Sequence, residues 1–168
     1  MDVDASAIEL TNPAFVPRKI FQAEGMPLID VVGIARAPGI GTNLCFSGRT
    51  SKNIIRCGAV LGPPQVYQYG NGWRELNVCF EEYIWGGDSG SPVWIEGTGK
   101  AVGIAVSGTG GPDEPGLTPT QKANRANEPE ETCATLLLPD PEQLPEGSAF
   151  RSPDLAPLHL VTRSNAQP

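Results

Sequence analysis

Apolar and polar positions alternate along this chain in short runs, and glycine or proline interrupts nearly every run. Residues 3–10 place Val3, Ala5, Ala7 and Leu10 at strand-like intervals before Asn12-Pro13 ends the run. Residues 19–21 are too short to assign. Residues 28–35 (LIDVVGIA) are rich in β-branched side chains and predict a strand. Residues 43–46 and 56–61 predict a hairpin joined by the polar stretch 47–53. Gly62-Pro63-Pro64 breaks the chain before a strand at 66–69, and Gly70-Asn71-Gly72 turns it into another at 74–80. Residues 92–95 and 101–107 form a further hairpin around Glu96-Gly97-Thr98-Gly99. Residues 108–131 are rich in Gly, Pro, Asn and Glu and read as a long exposed loop; residues 132–138 are the last strand. One short helical turn is expected at 141–144, and a disordered tail after Glu146. Short strands at even spacing, with turn signals between them and no internal repeat, predict an all-β barrel.

At 168 residues the chain can bury one core. With 20 glycines, 17 prolines and only 18% charged residues, it suits strands and turns better than long helices. The net charge of −7 argues against nucleic acid or an anionic membrane as partner. No apolar run reaches the roughly 18 residues of a membrane span. Met1-Asp2-Val3-Asp4 lacks the basic and apolar segments of a signal peptide, so any export signal is expected outside this sequence. Four cysteines permit two disulfides without requiring them. With a single histidine besides, neither a metal nor another cofactor is expected.

The run Gly86-Gly87-Asp88-Ser89-Gly90-Ser91-Pro92 carries the candidate chemistry. A serine hydroxyl is a poor nucleophile until a base takes its proton and a pocket holds the oxyanion. A glycine-flanked turn can aim two backbone N–H groups at one spot. Gly-Asp-Ser-Gly alone is common in ordinary turns. Here it lies in a longer run between two predicted strands. The lone histidine, His159, lies far past Ser89 among Pro153, Asp154 and Pro157, and reads as a tail residue rather than a base. Glu128–Glu131 read as a solvated acidic loop.

Three segments in order resemble the chymotrypsin-like bacterial serine proteases of the streptogrisin and α-lytic type. They are the Ser89 loop, the hairpin Cys45-Phe46-Ser47-Gly48-Arg49-Thr50-Ser51 with Arg56-Cys57-Gly58, and Asp4-Ala5-Ser6-Ala7-Ile8-Glu9-Leu10. Val102 to Gly108 and Thr132 to Pro139 are weaker matches, to the substrate-pairing strand and the far wall of the specificity pocket. The resemblance implies a chymotrypsin-like Greek-key β-barrel, with the second barrel complete and the first largely missing. Residues 1–12 would be the last strand of the first barrel, 13–145 the second barrel and 146–168 the tail.

The same resemblance implies the roles. Ser89 attacks a peptide carbonyl, and the N–H groups of Gly87 and Ser89 form the oxyanion hole. Asp4 orients a histidine, although on its own it would read as a solvated carboxylate. Val106, Ser107 and Gly108 pair with the substrate backbone. Cys45 bridges Cys57; Cys79 either pairs with Cys133 or stays free. Asp88 fixes the loop by pairing with a cation, and Phe46 stands where arginine is usual, leaving Arg49 or Arg56 for that part. The pocket floor is Tyr83, or Glu82 or Glu81 if the alignment shifts. The implied function is a secreted serine endopeptidase acting on polypeptides. The histidine would come from an upstream first barrel or a partner chain. The alternative is a non-catalytic relative that binds peptides.

Overall fold

The computed structural model describes residues 19–51, 54–68 and 74–137. Ten strands and one helix form: β1 Lys19–Ile20, β2 Ile29–Asp30, β3 Gly33–Ile34, β4 Asn43–Phe46, β5 Arg56–Ala59, β6 Gln65–Gln68, β7 Arg74–Phe80, β8 Pro92–Ile95, β9 Lys100–Gly108, α1 Pro119–Arg125 and β10 Thr132–Leu136. The strand expected at 3–10, Asp4, His159, the turn at 141–144 and the tail lie outside the described residues.

The main sheet runs β5-β4-β8-β9-β10-β7-β6, and it curls back on itself. Val60, just past β5, bridges to Phe80 of β7. On either side, Leu61 N donates to Cys79 O and Glu81 N to Ala59 O, both at 2.9 Å. β5, at one edge of the sheet, is thereby joined to β7, the strand next to the other edge, and the sheet closes into a Greek-key barrel.

Strand alternation fills this barrel. Leu44, Phe46, Leu76, Val78, Phe80, Val93, Val102, Ala134 and Leu136 point inward and form one buried core. Phe46 and Phe80 meet edge-on across it, with ring centroids 6.1 Å apart. The intervening residues Cys45 and Trp94 point outward and join Ile20 in a second cluster. The β1–β2 ribbon covers them through Ile29, and Val31 packs beside it.

Two expectations are corrected. Residues 28–35 do not form one strand. Ile29–Asp30 pairs with β1, Val32 N donates to Gly99 O at the corner, and Gly33–Ile34 then runs parallel to the start of β9. Residues 108–131 are not all loop, because α1 starts inside them. Thr118 and Gln121 form a reciprocal capping box, and Pro119 supplies the first helical φ without needing its N–H.

All four cysteines are paired, as Cys45–Cys57 and Cys79–Cys133. Both bridges link directly opposed residues of adjacent antiparallel strands. They span 12 and 54 residues, and loop-closure entropy favours the longer. Replacing Cys79 and Cys133 by alanine is expected to cost about 4 kcal/mol, against about 3 for Cys45 and Cys57. Chemical unfolding of the two double variants checks the order, and the reverse order contradicts it.

Candidate active site

Ser89 stands on a chain of tight turns after Ile84. Asp88 N donates to Trp85 O at 3.0 Å, and Ser91 N to Asp88 O at 3.1 Å. Ser91 Oγ donates to the same carbonyl at 2.5 Å. Gly90 N and Ser91 O then pair with Ala105 of β9. The loop is thus stitched to β9 just after Ser89, which is itself exposed.

Asp88 is fully buried, and its partners are backbone amides. Its Oδ1 accepts from Thr50 N at 2.8 Å and Ser51 N at 3.0 Å. Its Oδ2 has no partner among the described residues. No cation contacts it among the described residues. Arg56 is held elsewhere, by Glu82 at 3.0 Å and Asp113 at 2.8 Å, with its guanidinium 4.3 Å from the Trp85 ring. Arg49 is exposed and makes no ion pair among the described residues. Two N–H dipoles aimed at one oxygen do for Asp88 what a cation would. Gly48 permits this approach, since a Cβ there would overlap the Asp88 carboxyl.

Thr50 acts on the loop a second time. Its Oγ1 donates to Gly86 O at 2.8 Å. A planar trans peptide sets C=O and N–H on opposite sides, so the N–H of Gly87 is turned away from Thr50. Gly87 sits at φ +95°, and a Cβ there would lie 2.7 Å from Thr50 Oγ1, so only glycine fits. Neither the Gly87 nor the Ser89 N–H donates to another group among the described residues.

Ser89 borders two hollows. One, about 260 Å³, is lined by Ile84, Trp85, Gly86, Ser107, Gly108, Gly110, Glu114 and Arg125. The other, about 410 Å³, is lined by Phe21, Ser47, Gly48, Arg49, Gly87 and Gly90. Of the three residues expected to pair with a substrate backbone, Ser107 and Gly108 face the first hollow and Val106 does not line it. β8 follows β9 only to Pro92↔Ile104, and the Ser89 loop only to Ala105. One edge of residues 106–108 therefore has no strand partner among the described residues.

None of the expected floor residues lines the hollow beside Ser89. Glu82 pairs with Arg56, Glu81 is exposed, and Tyr83 O–H donates to Glu128 O at 3.3 Å. Burial and the surrounding carboxylates of Glu130, Glu128, Asp113 and Glu82 hold the Tyr83 phenol above its usual range, so it stays a donor. Charge reaches the hollow instead from Glu114 and Arg125, in the stretch read as loop. Arg56 anchors that stretch through Asp113, which also accepts from Trp85 Nε1 at 3.1 Å. Burial pushes the Asp113 carboxyl up, but the hydrogen bonds from Arg56 and Trp85 and the Arg56 charge outweigh it and leave it below its ordinary value. Two groupings, Cys45 and Cys57 with Glu96, and Cys79 and Cys133 with Glu131, contain only disulfide sulfurs beside a carboxylate and offer no thiolate to a metal.

Asp88→Ala is expected to lower stability by about 2–4 kcal/mol, because it strands the buried amide of Ser51 and the half-buried amide of Thr50. Asp88→Asn keeps an acceptor oxygen and is expected to cost under about 1 kcal/mol. Equal losses in urea unfolding contradict the amide-held reading. Asp113 has a depressed folded pKa. Its contribution is therefore full above its unfolded value near 4 and lost as pH falls through the folded value. Asp113→Asn is expected to flatten the acid limb of stability below about pH 4. Acid unfolding followed by tryptophan fluorescence checks this, and an unchanged limb contradicts it.

No protein-family model matches the chain, and no curated protein matches it. Solved structures do. Thermobifida fusca Protease A is 22% identical with a TM-score of 0.51, covering 72% of this chain and 54% of its own. A Nocardiopsis protease is 20% identical with a TM-score of 0.50, covering 71% of this chain and 53% of its own. The chain thus spans about half the length of the solved structures it matches. The barrel, its two disulfides and the Ser89 loop make up a chymotrypsin-like β-barrel fold.

Proposed function

We propose that the chain is the nucleophile-bearing part of a secreted serine endopeptidase. The observation that carries this reading is the conformation of residues 86–89. Thr50 holds the Gly86 carbonyl, the Gly87 N–H is turned away from Thr50 and donates to no group among the described residues, and the exposed Ser89 lies beside it at the mouth of a hollow. Ser89 Oγ attacks a peptide carbonyl and gives its proton to a base. The oxyanion accepts from the N–H groups of Gly87 and Ser89. The leaving amine takes that proton, and water then hydrolyses the acyl-enzyme. The substrate backbone adds as a strand to the open edge at Val106, Ser107 and Gly108. Asp88 fixes the loop, and Asp4 orients the base.

The base is a histidine of a first barrel outside these 168 residues, joined upstream or carried by a partner chain. In this reading residues 1–12 belong to that barrel and residues 13–145 to the second. Two disulfides in a small domain suit an oxidising, extracellular setting. A second reading rests on the single histidine, His159. If no other chain supplies a base, the same cleft binds peptides without cutting them.

The chain alone is expected to bind extended peptides and leave them intact. Assembled with a polypeptide that supplies the histidine, it is expected to cleave them, and Ser89→Ala should lower kcat by about five to six orders of magnitude. Cleavage that survives Ser89→Ala contradicts the endopeptidase reading. Binding without cleavage in the assembled form favours the binding module.

A further inference from the structure

The hollow beside Ser89 ends at the ion pair between Glu114 and Arg125. Arg125 is the last residue of α1, and Glu114 precedes the helix. Both are half-buried, with side chains 31% and 18% exposed for Arg125 and Glu114. Their hydrogen-bonding capacities are unequally used. Glu114 Oε1 accepts from Gly86 N at 3.0 Å, and Oε2 accepts from Arg125 Nη1, so each oxygen already holds a donor. Arg125 carries five N–H donors and spends only Nη1 on a partner among the described residues. Ser107, at the rim, adds a hydroxyl with no side-chain partner among the described residues. The other cation of this region, Arg56, is committed to Glu82 and Asp113. The remaining walls, Ile84, Trp85, Gly86, Gly108 and Gly110, bring no charged side chain.

A side chain entering this hollow therefore meets spare donors and few spare acceptors. A carboxylate can take two N–H bonds from one guanidinium, the geometry in which arginine binds anions best. A cation would have to share the Glu114 oxygens with Arg125 and sit beside its positive charge. We infer that Arg125 reads the substrate residue whose side chain fills this hollow, and selects a carboxylate there, aspartate or glutamate. The inference rests on the peptide-cleft reading above, and names the class of peptide the cleft takes.

The test needs binding only. The whole chain, disulfides intact, is titrated with acetyl-Ala-Ala-Pro-Glu-amide and its Gln and Lys counterparts, followed by tryptophan fluorescence. The Glu peptide is expected to bind about tenfold tighter than the isosteric Gln peptide. Arg125→Gln is expected to bring the two within about twofold, and Arg125→Lys to keep part of the difference. Circular dichroism matching the parent confirms that each variant is folded. Glu114→Gln, which frees Arg125 and removes a like charge, is expected to strengthen Glu-peptide binding and serves if Arg125→Gln does not fold. Equal affinities, tightest binding of the Lys peptide, or a Glu preference that survives Arg125→Gln overturns the carboxylate inference and leaves the cleft standing. If none of the peptides binds, the cleft reading itself fails, and the inference with it.

Discussion

The site depends on one buried carboxylate. Asp88 joins the Ser89 loop to the β4–β5 hairpin by accepting the amides of Thr50 and Ser51 on a single oxygen. Taking an unpaired carboxylate out of water costs several kcal/mol, so its environment must return most of that. Here backbone dipoles supply the compensation, and the Cys45–Cys57 bridge holds the hairpin that presents them. The same hairpin then uses Thr50 Oγ1 to fix the Gly86–Gly87 peptide. One short segment thus sets both the position of Ser89 and the direction of the N–H before it.

Barrel closure supplies the rest of the geometry. The Val60–Phe80 bridge makes β7 continuous with β5, and β7 ends where the approach to Ser89 begins. β10 lies between β7 and β9, tied to β7 by Cys79–Cys133. The two walls of the hollow, one after β7 and one at the end of β9, are therefore fixed relative to each other by hydrogen-bonded strands. The 109–131 segment has no apolar core of its own, and α1 buries no residue. It is held by polar contacts to Arg56, Trp85 and Gly86, which makes it the part of the site most open to change.

Much of this was legible in the sequence. β4, β7 and β8 run as the alternation of 43–46, 74–80 and 92–95 predicts, because each has one face in the core. The Ser89 loop was legible as a motif, and both cysteine pairings form. Four things were not. The 28–35 run is rich in β-branched residues, but propensity does not say which sheet each half joins. The helix start carried a readable signal in Thr118-Pro119 with Gln121, masked by the glycines and prolines around it. The donors to Asp88 are main-chain groups, and no side-chain pattern reports them. The Glu114–Arg125 pair was hidden for the same reason as the helix that carries Arg125. Asp4 lies outside the described residues.

The central claim is that the Gly87 and Ser89 amides and the edge at 106–108 form one peptide cleft. The most direct measurement is an amide-resolved NMR titration of the isotopically labelled chain with an extended peptide. The account predicts saturable shifts at Gly87, Ser89, Val106, Ser107 and Gly108, with the far face of the barrel unmoved. Shifts confined to the β1–β2 ribbon or to β6, or no shifts at all, would contradict it.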